Sequence, residues 1–250
     1  MTQEEPVHIE IALPAPFETV WQAFRDPKVI PEWFGWEYEG LAEEIECIFE
    51  EETEAWKDAG TLHIGGHLFR LDDHDVETIV EVTRAAPIGG STDWDLYYDD
   101  IEEGWLTFLH QLRFALARHP GRVRRTVHLT GFRTRADSAS TVERLGLAEA
   151  AAMAAGRRYR TRTPWGDPLA GKQWFKSANQ LGLTVDQWGD GLLVVFESPT
   201  GKSSNRSVSA VLTTYGLDDR QFALVERRWT DWWHANHHPD TEKKTERDAG

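Results

Sequence analysis

Apolar residues change rhythm several times along the first 120 positions of this 250-residue chain. Residues 7–13, Val-His-Ile-Glu-Ile-Ala-Leu, alternate as a half-buried strand does, and Pro14-Ala15-Pro16 ends the run. Phe17, Val20, Trp21 and Phe24 recur at helical spacing, and Asp26-Pro27 closes that helix. Strand-like stretches follow at 43–50, 60–70, 76–84 and 92–99, separated by Gly, Asp and Pro turns. Trp105, Phe108, Leu109, Leu112 and Leu116 then mark an amphipathic helix closed by His119-Pro120.

The same order returns in the second half. Val127-His128-Leu129 reads as a short strand, and residues 138–155 read as a helix ended by Gly156. Strand-like runs lie at 158–163, 172–178, 181–186, 191–197 and 207–215. A closing helix carries Phe222, Val225, Trp229, Trp232 and Trp233 and stops at His238-Pro239. Thr19-Val20 corresponds to Thr141-Val142, Tyr98 to Tyr215 and Pro120 to Pro239, at nearly constant offsets. This is a two-copy repeat with a boundary near 120–126. The expected fold class is α+β, with units at 6–120 and 123–239 and a disordered tail at 240–250. In each, hairpin-connected strands form a curved antiparallel sheet around a long C-terminal helix. An imperfect fit between helix and sheet leaves a cavity for an apolar molecule.

Composition narrows the class. Forty per cent apolar residues and 12 Trp exclude wholesale disorder. No stretch is long and apolar enough for a membrane span, and the opening Met1-Thr2-Gln3-Glu4-Glu5-Pro6 lacks the features of a secretory signal, so a cytoplasmic location is expected. The single Cys47 rules out a disulfide framework. Residues 1–120 hold 27 acidic and 7 basic side chains, the remainder 15 and 20. The first half therefore repels nucleic acid, while the opposite charges predict that the two halves dock on each other. Arg157, Arg158, Arg160 and Arg162 lie along a strand-like run, either as an anion or acidic-partner site or as a plain solvated face.

Motifs with chemistry are few. If a turn falls at Gly65-Gly66, His63 and His67 meet across a hairpin as an acid/base pair or as two metal ligands, although no third ligand is placed. Asp72-Asp73-His74-Asp75 fits a cation loop or a polar turn. His234, His237 and His238 have metal-like spacing at a helix end. Gly166–Lys172 starts like a phosphate-binding loop, but Gln173 replaces the hydroxyl residue and a strand follows, so the motif fails. No metal or cofactor is assigned.

The run Ile11-Ala12-Leu13-Pro14-Ala15-Pro16-Phe17-Glu18-Thr19-Val20-Trp21, with Trp33-Phe34-Gly35 after it, resembles the opening of the SRPBCC, or START-like, helix-grip superfamily. It is most similar to the branch related to the activator of the heat-shock chaperone ATPase. Thr78–Val82 followed by Thr92–Tyr98 resembles that branch's late strands, and Gly104-Trp105-Leu106 its closing helix. Gly182–Gly191 and Thr214–Leu217 make the second half a divergent copy, without the Val-Trp opening.

The resemblance implies two tandem helix-grip units that bind a hydrophobic small molecule such as a lipid, polyketide or aromatic compound. A protein-interaction or co-chaperone-like module is the alternative, and a hydrolase or cyclase using His63 or His67 a further one. A binding role without catalysis is favoured. In the first unit the expected walls are Trp36, Phe69, Trp94, Trp105, Phe108 and Leu112, with His63, His67 and Tyr98 orienting the ligand. In the second they are Trp174, Tyr215, Trp229 and Trp233.

Overall fold

A computed structural model describes residues 8–84, 92–134, 139–198 and 205–239, with the backbone alone at 8, 84, 92–101 and 205. The chain divides into two compact units between Val123 and Arg124. The expected tail at 240–250 lies outside the described residues.

In the first unit, β1 (His8–Leu13) leads through α1 (Phe17–Arg25) and α2 (Leu41–Glu46) to β2 (Glu54–Trp56), β3 (Thr61–Ile64), β4 (His67–His74) and β5 (Glu77–Arg84). The sheet order is β1-β5-β4-β3-β2, antiparallel throughout, so the first strand pairs with the last. The long helix α3 (Thr92–Arg118) closes the unit. Its Trp105, Leu109 and Leu112 join Ile11, Leu13, Leu62, Ile64, Phe69, Leu71, Val80 and Val82 in one core. Trp33 adds a polar tie, its indole N–H donating to the Ala23 carbonyl at 2.9 Å.

Two expected strands are helical. Residues 43–50 belong to α2 and to the π-helical turn Cys47–Glu51 that continues it. Glutamate favours helix over strand, and buried Ile45 and Phe49 are four apart, the spacing of one helix face. Residues 92–99 are the first turns of α3, where Trp94, Tyr98, Trp105, Phe108 and Leu112 continue at steps of three, four and seven. The correspondence of Tyr98 with Tyr215 therefore fails: the first is helical, the second ends a strand.

The second unit has the same plan with one more strand. It runs β6 (Arg124–Thr134), α4 (Thr141–Arg144), α5 (Ala148–Ala152), β7 (Arg158–Arg162), β8 (Pro168–Lys176), β9 (Gln180–Val185), β10 (Gly191–Glu197), β11 (Asn205–Tyr215) and α6 (Asp219–Asn236). The sheet order is β6-β11-β10-β9-β8-β7. Phe222, Trp229 and Trp233 of α6 pack on Leu181, Leu183, Val185, Leu193, Val195, Val208, Ala210 and Leu212 of the sheet. Each unit is thus a curved antiparallel sheet gripping its C-terminal helix. The single helix expected at 138–155 is two short ones. Ser140 and Glu143 form a capping box that starts α4, and Gly146, at φ +74°, turns the chain before α5.

The end of α6 is tied down. The His237 ring lies 3.2 Å from both the Trp233 carbonyl and Thr141 Oγ1. A carbonyl only accepts, so Nδ1 carries the proton of the neutral ring and Nε2 accepts from Thr141. Burial, helped by the Arg144 and Arg133 guanidinium groups, pushes this imidazole down to about 4. The unfolded chain takes up the proton near pH 6.5 and the folded one only near 4, so stability is lost as pH falls through that window. At roughly 1.4 kcal/mol per pH unit the loss is of the order of 3 kcal/mol. Urea midpoints should fall between pH 7 and 4 more steeply in the native chain than in His237→Gln. Equal slopes would remove His237 as the cause.

Candidate functional site

Most of the expected first-unit walls are core. Trp105 meets Phe69, Phe34, Phe49 and Phe108 at ring-centroid distances of 4.8, 5.8, 6.2 and 6.2 Å. Phe69 and Leu112 are fully buried beside it, and half-buried Trp36 reaches Phe108 at 6.2 Å. These rings are one another's packing partners. The side chains of Trp94 and Tyr98 lie outside the described residues.

The His63/His67 pair is undone by register. A two-residue turn at Gly65-Gly66 sets Ile64 opposite His67 and His63 opposite Leu68. Side chains alternate across a strand, so His67 points inward and His63 outward. His67 is buried, its Nδ1–H donating to the Gly65 carbonyl at 3.0 Å, with Trp105 6.1 Å away. His63 is exposed against Trp56. Two groups on opposite faces of a sheet do not share one proton transfer. Among the described residues, no cluster of three or more His, Cys, Asp or Glu side chains suits a metal ion.

The second unit holds two adjoining cavities. The inner one, about 140 Å³, lies between α6 and the sheet and is lined by Thr163, Asp167, Pro168, Leu169, Gln187, Trp188, Val225 and Trp229. Trp188 and Trp165 meet Trp229 at 5.5 and 5.3 Å, nearly perpendicular. The polar mouth is internally satisfied. Asp167 accepts from the Trp165 indole N–H at 2.8 Å and pairs with Arg228, while Thr163 Oγ1 accepts from the Asp167 amide at 2.9 Å.

The outer cavity, about 580 Å³, shares Pro168, Leu169 and Gln187 with the inner one and is floored by Arg158, Arg160, Arg162 and Ala170. It opens where β8 leaves its neighbour. A bulge between Gln173 and Phe175 breaks the β8–β9 register. Before it, Thr184 Oγ1 accepts from the Lys172 amide at 2.9 Å and Gln187 Oε1 from the Ala170 amide at 3.0 Å. Side chains thus replace ladder bonds along this stretch. Gly171 permits the crossing, since a Cβ there would stand 1.9 Å from the Thr184 carbonyl oxygen.

Of the four expected second-unit walls, Trp229 alone lines the inner cavity. Trp233 is core, its indole N–H donating to the Thr130 carbonyl at 3.0 Å. Tyr215 is on the other face: Val208, Ala210 and Leu212 pack under α6, and strand alternation turns odd-numbered Tyr215 away. Trp174 sits at the bulge, half-buried. The sequence reading missed Trp188, whose only signal is the Trp-Gly step, Gly189 being left-handed at φ +67°.

No known family profile and no curated protein matches the chain. Solved structures similar to it include DynU16 and two di-domain ARO/CYC proteins. DynU16, from the dynemicin biosynthetic locus, is 16% identical, with 93% of this chain and 96% of that chain covered and a TM-score of 0.33. The di-domain ARO/CYC protein BexL from the BE-7585A biosynthetic pathway is 12% identical, with coverages of 89% and 88% and a TM-score of 0.32. The di-domain ARO/CYC protein StfQ from the steffimycin biosynthetic pathway is 10% identical, with 88% and 87% covered and a TM-score of 0.30.

Proposed function

We propose that this chain binds a hydrophobic small molecule, with an aromatic ring seated between Trp188 and Trp229 of its second unit. The observation carrying the reading is the inner cavity itself, walled by two indoles and by Leu169, Pro168 and Val225. A space of roughly 150 Å³ is large enough for one benzene-sized ring. Flat aromatic walls contribute dispersion and edge-to-face contacts without demanding hydrogen bonds. The ionisable group at the mouth, Asp167, is held by Trp165 and Arg228, which suits it to fixing the walls rather than to moving protons.

Val225→Trp tests the reading by filling the cavity from the helix side. Titration with toluene, followed by tryptophan fluorescence, should saturate in the native chain and weaken at least about tenfold in the variant. Toluene binding unchanged by Val225→Trp would place the ring elsewhere.

A further inference from the structure

We propose that the edge of β7 takes up an extended acidic peptide as an added antiparallel strand, with Glu or Asp at alternate positions facing Arg158 and Arg160. This surface is on the solvent side of the sheet and is independent of the ring cavity. β7 is the last strand of its sheet, so a neighbouring strand covers only one of its edges. The Thr163 amide donates to the Asp167 carbonyl at 2.9 Å, and the Gln173 amide to the Arg157 carbonyl at 3.0 Å. Ladder bonds skip alternate residues, so Tyr159 and Thr161 also bond towards β8. Arg158, Arg160 and Arg162 therefore turn their amides and carbonyls outward. Among the described residues no hydrogen bond reaches those of Arg158 or Arg160. The turn between α4 and α5 closes the edge beyond them, since a Cβ on Gly146 would stand 3.0 Å from the Arg162 carbonyl oxygen.

The side chains decide which strand fits. Arg158, Arg160 and Arg162 are exposed on one face of β7, with Tyr159 buried between the first two. Residues two apart on a strand stand about 6.7 Å apart, and an extended peptide repeats at the same interval. In antiparallel pairing each acidic side chain then lies beside an arginine, at a Cβ separation of about 5 Å. Arg158 is already paired with Asp186 at 2.6 Å, whereas Arg160 has no ion pair among the described residues. Arg160 is thus the anchor, and Ala170 opposite it leaves the outer cavity open for a carboxylate. A row of like charges rejects a second β7 and admits an acidic strand.

The experiment titrates the full chain with a short labelled peptide of alternating Thr and Glu, read by fluorescence anisotropy at low ionic strength. The peptide should bind at least about tenfold more tightly than its counterpart with Gln for Glu, and added salt should erode the difference. In the proposed register the Glu amides face β7 and the Thr amides face away from it. N-methylation of the Glu amides should weaken binding at least about tenfold, and N-methylation of the Thr amides should not. Arg160→Gln should bring the Glu peptide's affinity down towards that of the Gln peptide. Arg227→Gln, which removes the same charge from α6, should leave it unchanged. Glu-selective binding that ignores methylation would be charge attraction alone and would overturn strand addition. Binding of neither peptide would overturn it too, leaving the arginines as guards of the edge against aggregation.

Discussion

Replacing Glu197 with Leu is expected to lower the stability of the second unit by about 3–5 kcal/mol, the usual cost of breaking a buried ion pair by removing one partner. Glu197, at the end of β10, pairs with Arg133 of β6 and, at 3.1 Å, with Arg206 of β11, and its second oxygen accepts from the Thr141 amide at 3.0 Å. Arg133 is only 3% exposed and also donates to the Ala139 carbonyl. Removing the carboxylate breaks this ion pair at a buried guanidinium and uncaps the first turn of α4. Glu197→Gln keeps an acceptor and should cost less. The double variant Arg133→Met/Glu197→Leu buries no charge and should recover much of the loss. Urea denaturation of the full chain, with hydrogen exchange at β10 amides to locate the effect, reads the result. A double variant as unstable as Glu197→Leu would show that packing, not the broken ion pair, sets the cost.

The second large effect is expected in the first unit. Trp105→Ala should cost about 3–5 kcal/mol, from lost transfer free energy and the cavity left behind. The indole is 4% exposed and stands among Phe34, Phe49, Phe69, Phe108 and His67, all within 6.2 Å. These neighbours are themselves held by α1, β4 and α3 packing, so the hole cannot collapse fully. Trp105→Phe keeps an aromatic ring and should lose much less. Fluorescence-detected unfolding measures both. A loss below about 1 kcal/mol for Trp105→Ala would mean that the ring lines open space instead of filling the core.

That contrast between the units explains how much was legible beforehand. The strands at 76–84, 191–197 and 207–215 and both closing helices were readable, because alternation and the helical stripe are local signals that tertiary packing reinforces. Residues 43–50 and 92–99 misled because a short apolar run looks alike in strand and helix, and propensity had to arbitrate. Site residues were harder. Tryptophan marks either a wall or a filled core, and only the packing of a third element decides between them: Phe34 and Phe49 against Trp105, the α6–β8 gap against Trp229. His63 and His67 read as neighbours across Gly65-Gly66, yet a two-residue turn places them on opposite faces. The arginine face of β7 was visible as alternation, but its meeting with a cavity depends on a bulge and on side chains bridging β8 to β9, neither of which leaves a periodic trace.

The most direct test of the ring cavity is the anomalous scattering of iodobenzene soaked into crystals of the full chain. The account predicts an iodine peak in the second unit, between Trp188, Val225 and Trp229, that disappears in Val225→Trp. A peak among Phe34, Trp105 and Phe108 of the first unit, with the second unit empty, would contradict it.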